Sequence, residues 1–318
     1  MGTYLVRRLI QSIIVILLVT IFVFVGMRML PGDPIFMLFN PNQVQKFTQE
    51  EIDRIRHETG LDRPLAIQYF DWLGNVFKGD LGKSILNDRP IWVDLSKRIP
   101  VTAHIGILAF LVSVIVGVPA GVISAIRRGS WLDTFVTTLA NIGITVPIFW
   151  LGIILIWIFA VQLHWLPVGS YTSPFTDFIK STKQLILPVF CNAIFGISAN
   201  ARQARSSMLE VVRQDYIRTA WSKGLTERKV ILGHALKNSL IPIVTLAGMG
   251  ISAIIGGSVL IEQVFNIPGM GRLAIDSLFQ HDYPYVQGIT LIMTAAIVVT
   301  NLLVDITYGW LDPRIRYN

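Results

Sequence analysis

Residues able to do chemistry are few in this chain and poorly clustered. The nearest approach to a nucleotide site is Gly79-Asp-Leu-Gly82-Lys83-Ser84, which ends in the Gly-Lys-Ser of a phosphate loop. A phosphate loop needs another glycine five residues before Gly82, and position 77 is Phe, with no strand pattern ahead of it. Histidines stand at 57, 104, 164, 234 and 281, and no two of them share a helix face at metal-binding spacing. Cys191 is the single cysteine, so neither an intramolecular disulfide nor a thiolate cluster can form. No nucleophile, base and oxyanion arrangement is visible. The chain therefore reads as non-catalytic, with no metal and no cofactor of its own.

The polar residues that remain stand in apolar surroundings. Asp305 has Asn301 four residues before it, and an ionisable group inside a membrane helix faces protein or a water-filled path. Asp305 lies near Asp312 and Arg314, which favours a hydrogen bond to a neighbouring helix over a part in transport. Gly248, Gly250, Gly256 and Gly257 lie in one apolar run, where missing side chains let helices pack closely or slide. Glu262 follows, with Phe265, Pro268, Gly269 and Gly271 in a segment that can dip back toward a pore.

These residues must be positioned by membrane helices. The chain has 318 residues, 53% hydrophobic and 15% charged, with a net charge of +7. Its mean hydropathy is +0.58, and its charges gather between long stretches that have almost none. Six such stretches run from 9 to 27, 101 to 126, 134 to 163, 185 to 201, 239 to 261 and 286 to 311. Hydrocarbon leaves no partner for an unpaired backbone group, so each reads as a helix, the first as an uncleaved span. Pro147 predicts a kink, break or strong tilt in the overlong third. Arg7 and Arg8, Arg127 and Arg128, the basic residues of 202–237, and Arg314 and Arg316 all fall on one side, which predicts cytoplasmic termini. The domain reading is 1–27 for the first span, 28–100 for a folded extracytoplasmic insertion, and 101–318 for a five-span core. In the insertion, Thr48-Gln-Glu-Glu51 is a capping box and Gly60 a helix stop. Pro64 can open a second helix whose apolar face, Ile67, Phe70, Leu73 and Phe77, suits the membrane surface.

Residues 202–238 carry eight basic and three acidic side chains and read as a helical hairpin. Leu209, Val212, Tyr216 and Ala220 make an apolar stripe, Gly224 can end the first helix and Thr226 can cap the second. Taken alone, the pattern leaves open a basic loop resting on anionic lipid or a scaffold that recruits a soluble protein. DNA reading suits it poorly, since both ends are tied to spans, and no nucleic-acid partner is expected.

Here the sequence resembles the inner-membrane permeases of ATP-binding-cassette (ABC) importers for oligopeptides, dipeptides and nickel. The likeness is carried by "DYIRTAWSKGLTERKVILGHALKNSLIP" from Asp215 to Pro242, "RMLPGDP", "YFDWLGNVFKGDLGKSI", "EQVFNIPGMGRL" and "NLLVDITYGWLDPRIR". Where the general form of the loop motif begins Glu-Ala-Ala, this chain has Arg218-Thr219-Ala220. The resemblance implies an all-α, type I permease fold of six transmembrane helices in the cell inner membrane. It implies a homologous second permease, two ATPase subunits that hold ATP and Mg, and an extracytoplasmic solute-binding protein, around membrane lipid. It further implies ATPase coupling through Asp215, Tyr216, Thr219, Ala220, Gly224 and Leu225, and an external gate around Glu262, Phe265, Pro268, Gly269 and Gly271. Peptide is the expected solute, with nickel or another small solute as the alternative; a nickel site at His104 or His164 is conceivable only because the family includes nickel permeases. An ion-coupled secondary transporter, the rival from another class, lacks paired charges near the membrane midplane.

Overall fold

The computed structural model describes residues 2–29, 48–58, 61–84 and 86–311, all helices and connections apart from an isolated bridge between Lys83 and Pro90. Gly60, the 30–34 part of "RMLPGDP", Asp312, Arg314 and Arg316 lie outside the described residues. The chain divides into two compact units, 6–101 with 269–299, and 102–268 with 1–5 and 300–318. Among the described residues, four helices are long and apolar enough to cross a membrane, and two bent pairs bring the total to six if each counts as one span. The protein is an all-α, multi-pass membrane protein.

In the smaller unit, α1 (Gly2–Arg28) exposes Ile14, Leu18 and Phe22, as a lipid-facing helix must. Helix α2 (Gln49–Glu58) starts at the capping box: the Glu51 carboxylate accepts from the Thr48 amide at 2.7 Å, and Thr48 Oγ1 accepts from the Glu51 amide at 3.4 Å. Helix α3 (Leu65–Phe77) follows Pro64 and turns Tyr69 and Trp72 toward Phe24 of α1, with the Tyr69 hydroxyl 2.8 Å from Thr20 Oγ1. Its other face leaves Ile67, Phe70 and Phe77 exposed, the arrangement an interfacial helix requires.

The Gly79–Ser84 segment is a structural turn. Gly79 and Gly82 take φ of 83° and 88°, and the buried Ser84 hydroxyl donates to Asp282. Below it, Leu81, Ile91, Leu95, Met270, Tyr285 and Ile289 form one apolar cluster. These residues come from the turn, the start of α4 (Ile91–Ile126), α10 (Met270–Phe279) and α11 (Tyr283–Leu311).

The larger unit is built on a close helix crossing. At about 1.5 Å per residue, α4 reaches roughly 54 Å and α7 (Phe178–Val212) roughly 52 Å, well beyond a hydrocarbon layer of about 30 Å. Neither fits within such a layer without strong tilt. They meet backbone to backbone at Gly117 and Gly121: a Cβ on Gly117 would sit 2.6 Å from the Ile197 carbonyl oxygen, and one on Gly121 would strike the Ala201 carbonyl. From the other side, a Cβ on Gly196 would lie 2.8 Å from that of Ser113. Four-residue spacing of glycines permits this approach. Of the fifth-span glycines whose surroundings are described, Gly248 packs closely, against Val304, while Gly250 and Gly256 face open space.

The third stretch breaks rather than bends. Helix α5 (Trp131–Thr145) and α6 (Ile148–Leu155, continued as a π-helical turn to Gln162) meet at 106°. Val146 before Pro147 is extended (φ −72°, ψ 126°), because the proline ring excludes the helical conformation from the residue ahead of it. At about 22 Å, α5 alone is too short to cross.

Candidate functional site

The hairpin begins where α7 ends at Val212. Two residues, Arg213 and Gln214, turn the chain, and α8 (Asp215–Ser222) follows. The stripe Leu209, Val212, Tyr216 and Ala220 is thus divided between two helices rather than carried by one. Gln214 is extended (φ −72°, ψ 148°), and no glycine or proline announces the stop. Gly224, with φ of 74°, closes α8, and its amide donates to the Trp221 carbonyl at 2.9 Å. Thr226 stands at the cap of the single turn Glu227–Lys229 without a side-chain bond. A π-helical stretch, Val230–Ala235, leads into α9 (Leu236–Val264).

The hairpin is seated, not loose. Ile217 and Ala220 of α8 are buried with Val122 and Ala125 of α4, Ala204 and Met208 of α7, and Val230, Ile231 and Ala235 of the return limb. Leu225 packs beside them. Ala220 therefore anchors α8 to the membrane helices rather than presenting its side chain outward. The outward face carries Tyr216 at 43% exposure and Trp221 at 40%, with Asp215 and Arg218. The Tyr216 hydroxyl accepts from Asn238 Nδ2 at 2.8 Å, and Thr219 Oγ1 donates back to the Asp215 carbonyl. Trp221 escaped the sequence reading; it follows the buried Ile217 by one turn and stands at the rim of the seated face, 40% exposed.

Beside the hairpin lies a buried ion pair that sequence reading missed. Asp133 of α5 accepts from Arg205 Nε at 2.7 Å and from Nη2 at 3.0 Å, a two-pronged contact. It also accepts from the Ser124 hydroxyl of α4 and, at 2.9 Å, from the Gly129 amide. One carboxylate thus ties α4, α5 and α7 at the ends nearest the hairpin. Ser130 caps α5 by accepting from the Asp133 amide, so Ser130-x-x-Asp133 was a legible capping signal; Arg205, 72 residues away, was not. An open cavity of about 880 Å³ adjoins the pair, lined partly by Arg202, Gln203, Glu210 and Gln214.

At the far end of α9, Glu262 is fully buried and accepts from Thr102 Oγ1 at 2.6 Å. The following segment ends the helix tightly. Asn266 takes φ of 53° and the Ile267 amide returns to the Glu262 carbonyl at 2.8 Å, the Schellman pattern, with Phe265 and Ile267 buried. Phe265 lies against Gly152 of α6. Pro268 ends the 102–268 segment of the larger unit. Gly269 starts α10 and Gly271 is buried within it.

Asn301 accepts from Ser252 Oγ of α9 at 2.7 Å, and Asp305 is half-buried one turn further along α11. His104 pairs with the Tyr171 hydroxyl at 2.9 Å, and His164 is exposed. Among the described residues, no three His, Cys, Asp or Glu side chains converge as a metal site would need.

A second cavity, about 460 Å³, opens in the transmembrane part of the larger unit. Asn192 and Asn200 of α7 and Ser113 of α4 reach it among apolar walls.

The family profile described as "Binding-protein-dependent transport system inner membrane component" matches residues 117–317, and its N-terminal companion matches 1–106. The chain is 43% identical to a putative peptide transport system permease protein of Brucella abortus over 319 residues, covering 100% of both. It is 39% identical to the oligopeptide transport system permease protein AppB of Bacillus subtilis, again over the whole of both chains. In structure it is similar to a chain of the inward-facing MetNI methionine ABC transporter, with a TM-score of 0.56, 17% identity and coverage of 69% of this chain and 96% of that one.

Proposed function

The chain belongs to the binding-protein-dependent transport system inner membrane component family, permease subunits of ABC importers, and from that premise we propose that it forms half of the translocation path of a peptide importer. The peptide assignment rests on the relatives named for peptide and oligopeptide transport, alike over their full length. A second, homologous permease supplies the other half. Two ATPase chains bind and hydrolyse ATP with Mg, and a solute-binding protein delivers substrate on the side away from the hairpin. The excess of Lys and Arg puts the hairpin and both termini in the cytoplasm.

The observation that carries the coupling role is the seating of α8. Its inner side is locked into the ends of α4 and α7 while Tyr216 and Trp221 remain outside. A displacement of α8 by an ATPase would therefore move two long helices as rods. The outward residues Asp215, Tyr216, Thr219 and Trp221 make the contact, Ala220 and Leu225 transmit it, and Gly224 sets the turn. Glu262 and Phe265, at the other end of α9, belong to the outer mouth.

Copurification with the ATPase tests this. Gly224→Arg puts bulk on a turn that has open space around it and strains a positive φ, so it should lose the ATPase. Gly224→Asn, which tolerates the same φ, should keep it. Retention of the ATPase by Gly224→Arg would refute docking at this turn.

A further inference from the structure

The 460 Å³ cavity between α4, the α5–α6 break, α7 and α9 contains a side chain the fold leaves unused. Asn192 is 3% exposed, yet neither its Nδ2 nor its Oδ1 has a hydrogen-bond partner. Leaving a buried amide unpaired costs about 1–3 kcal/mol. Its neighbour shows the ordinary alternative: Asn200 Nδ2 donates to the Ser113 carbonyl at 3.3 Å.

From these observations we infer that Asn192 is a contact for the amide backbone of the peptide in transit, an inference that rests on the peptide-import reading above. A carboxamide offers one donor and one acceptor side by side, the complement of a peptide group with its own N–H and C=O. The walls are chiefly apolar, among them Phe110, Val146, Ile148 and Leu246, and none of the lining residues carries a charge. A bare divalent cation would find neither carboxylate nor imidazole here, and a sugar would find too few polar partners for its hydroxyls. The volume falls within the roughly 300–1,000 Å³ of small-molecule sites. Gly250, beside which a side chain would meet nothing, leaves the lining open, and the Asn192 amide, whose two polar atoms are closed off in this structure, meets a main chain by turning into that space.

The test uses the whole importer, both permeases and both ATPases with its binding protein, in proteoliposomes. The probes are trialanine and its backbone N-methylated analogue, with uptake normalised to occupancy of the binding protein. The native importer should take up trialanine in preference to the analogue. Asn192→Leu, which removes an unsatisfied group, should melt no lower than the native chain, lose about tenfold in trialanine uptake, and lose the preference. Asn192→Gln should restore part of both. Undiminished uptake and preference in Asn192→Leu would overturn the site while leaving peptide import standing. Loss of the partner permease from Asn192→Leu on copurification would also overturn it, assigning the amide to a subunit contact. A native importer that moves other solutes but not trialanine would bring down the peptide reading, and the site with it.

Discussion

Two buried polar side chains in the same unit are treated in opposite ways. Asp133 is held by Arg205, Ser124 and the Gly129 amide, while Asn192 has no partner for either end of its amide. The first fastens three helices where the hairpin joins them; the second opens on a cavity in the membrane core. A membrane protein gains little from burying apolar surface against apolar lipid, so its rigid joints need close packing and complete polar pairing. The open pairing of Asn192 suits a contact that comes and goes. The carboxylate beside the hairpin is fully paired, and the amide in the membrane core is not.

The largest effect should come from breaking the paired carboxylate. Asp133→Ala leaves the Arg205 guanidinium without its carboxylate and should cost about 3 kcal/mol, the lower end for a broken buried pair because Arg205 keeps some access to water. Thermal unfolding in detergent measures it. Arg205→Met added to Asp133→Ala should recover part of the loss, and a double mutant as unstable as the single would show that the pair is not what holds the helices. Next is the crossing itself. Gly121→Val drives a side chain into the Ala201 carbonyl and should cost about 1–3 kcal/mol through forced separation of α4 and α7. Gly250→Ala, with nothing near its Cβ, should be neutral or stabilise by up to about 1 kcal/mol. Smaller again is Asn200→Leu, which abandons the bond to Ser113 and should cost about 1 kcal/mol, where Asn192→Leu costs none.

Much of the fold was legible, and for identifiable reasons. Long uncharged stretches can only be helices in lipid, Pro147 excludes a continuous helix, and Gly224 suits the left-handed turn that ends α8. Local chemistry was enough for each. The true starts and stops were harder to read. Helix α4 begins at Ile91, ten residues before the apolar run, because Asp94, Lys97 and Arg98 resemble a soluble loop yet favour a helix equally well. Helix α7 runs on to Val212 through Arg202 and Arg205, which read as loop charges. The Asp133 to Arg205 pair spans 72 positions, and no local rule connects them. Gly117-x-x-x-Gly121 was plainly written and pointed to the crossing, whereas the glycines of the fifth span drew notice and only Gly248 packs tightly. Nothing in the letters distinguishes Asn192 from Asn200; only the cavity does.

The smallest effect isolates what burial adds to pairing. Glu51 is also well satisfied, accepting from both the amide and the hydroxyl of Thr48, but it stands in water. Those bonds, the backbone one first, hold its carboxyl below the ordinary glutamate value of 4.5. A carboxyl lowered in the folded state stabilises above its unfolded value, and the contribution disappears as pH falls through the folded one. The start of α2 should therefore fray below about pH 4, a window set by the carboxylate range, while Glu51→Gln should show no such transition. Amide hydrogen exchange at Glu51 to Arg54, compared between native and variant chains at pH 5 and pH 3, reads this directly. If the native chain and Glu51→Gln exchange alike at both pH values, the capping contact contributes nothing in solution. If they differ, the shift should still be far smaller than that of Asp133→Ala, since water competes for every bond that Glu51 makes and for few of those around Asp133.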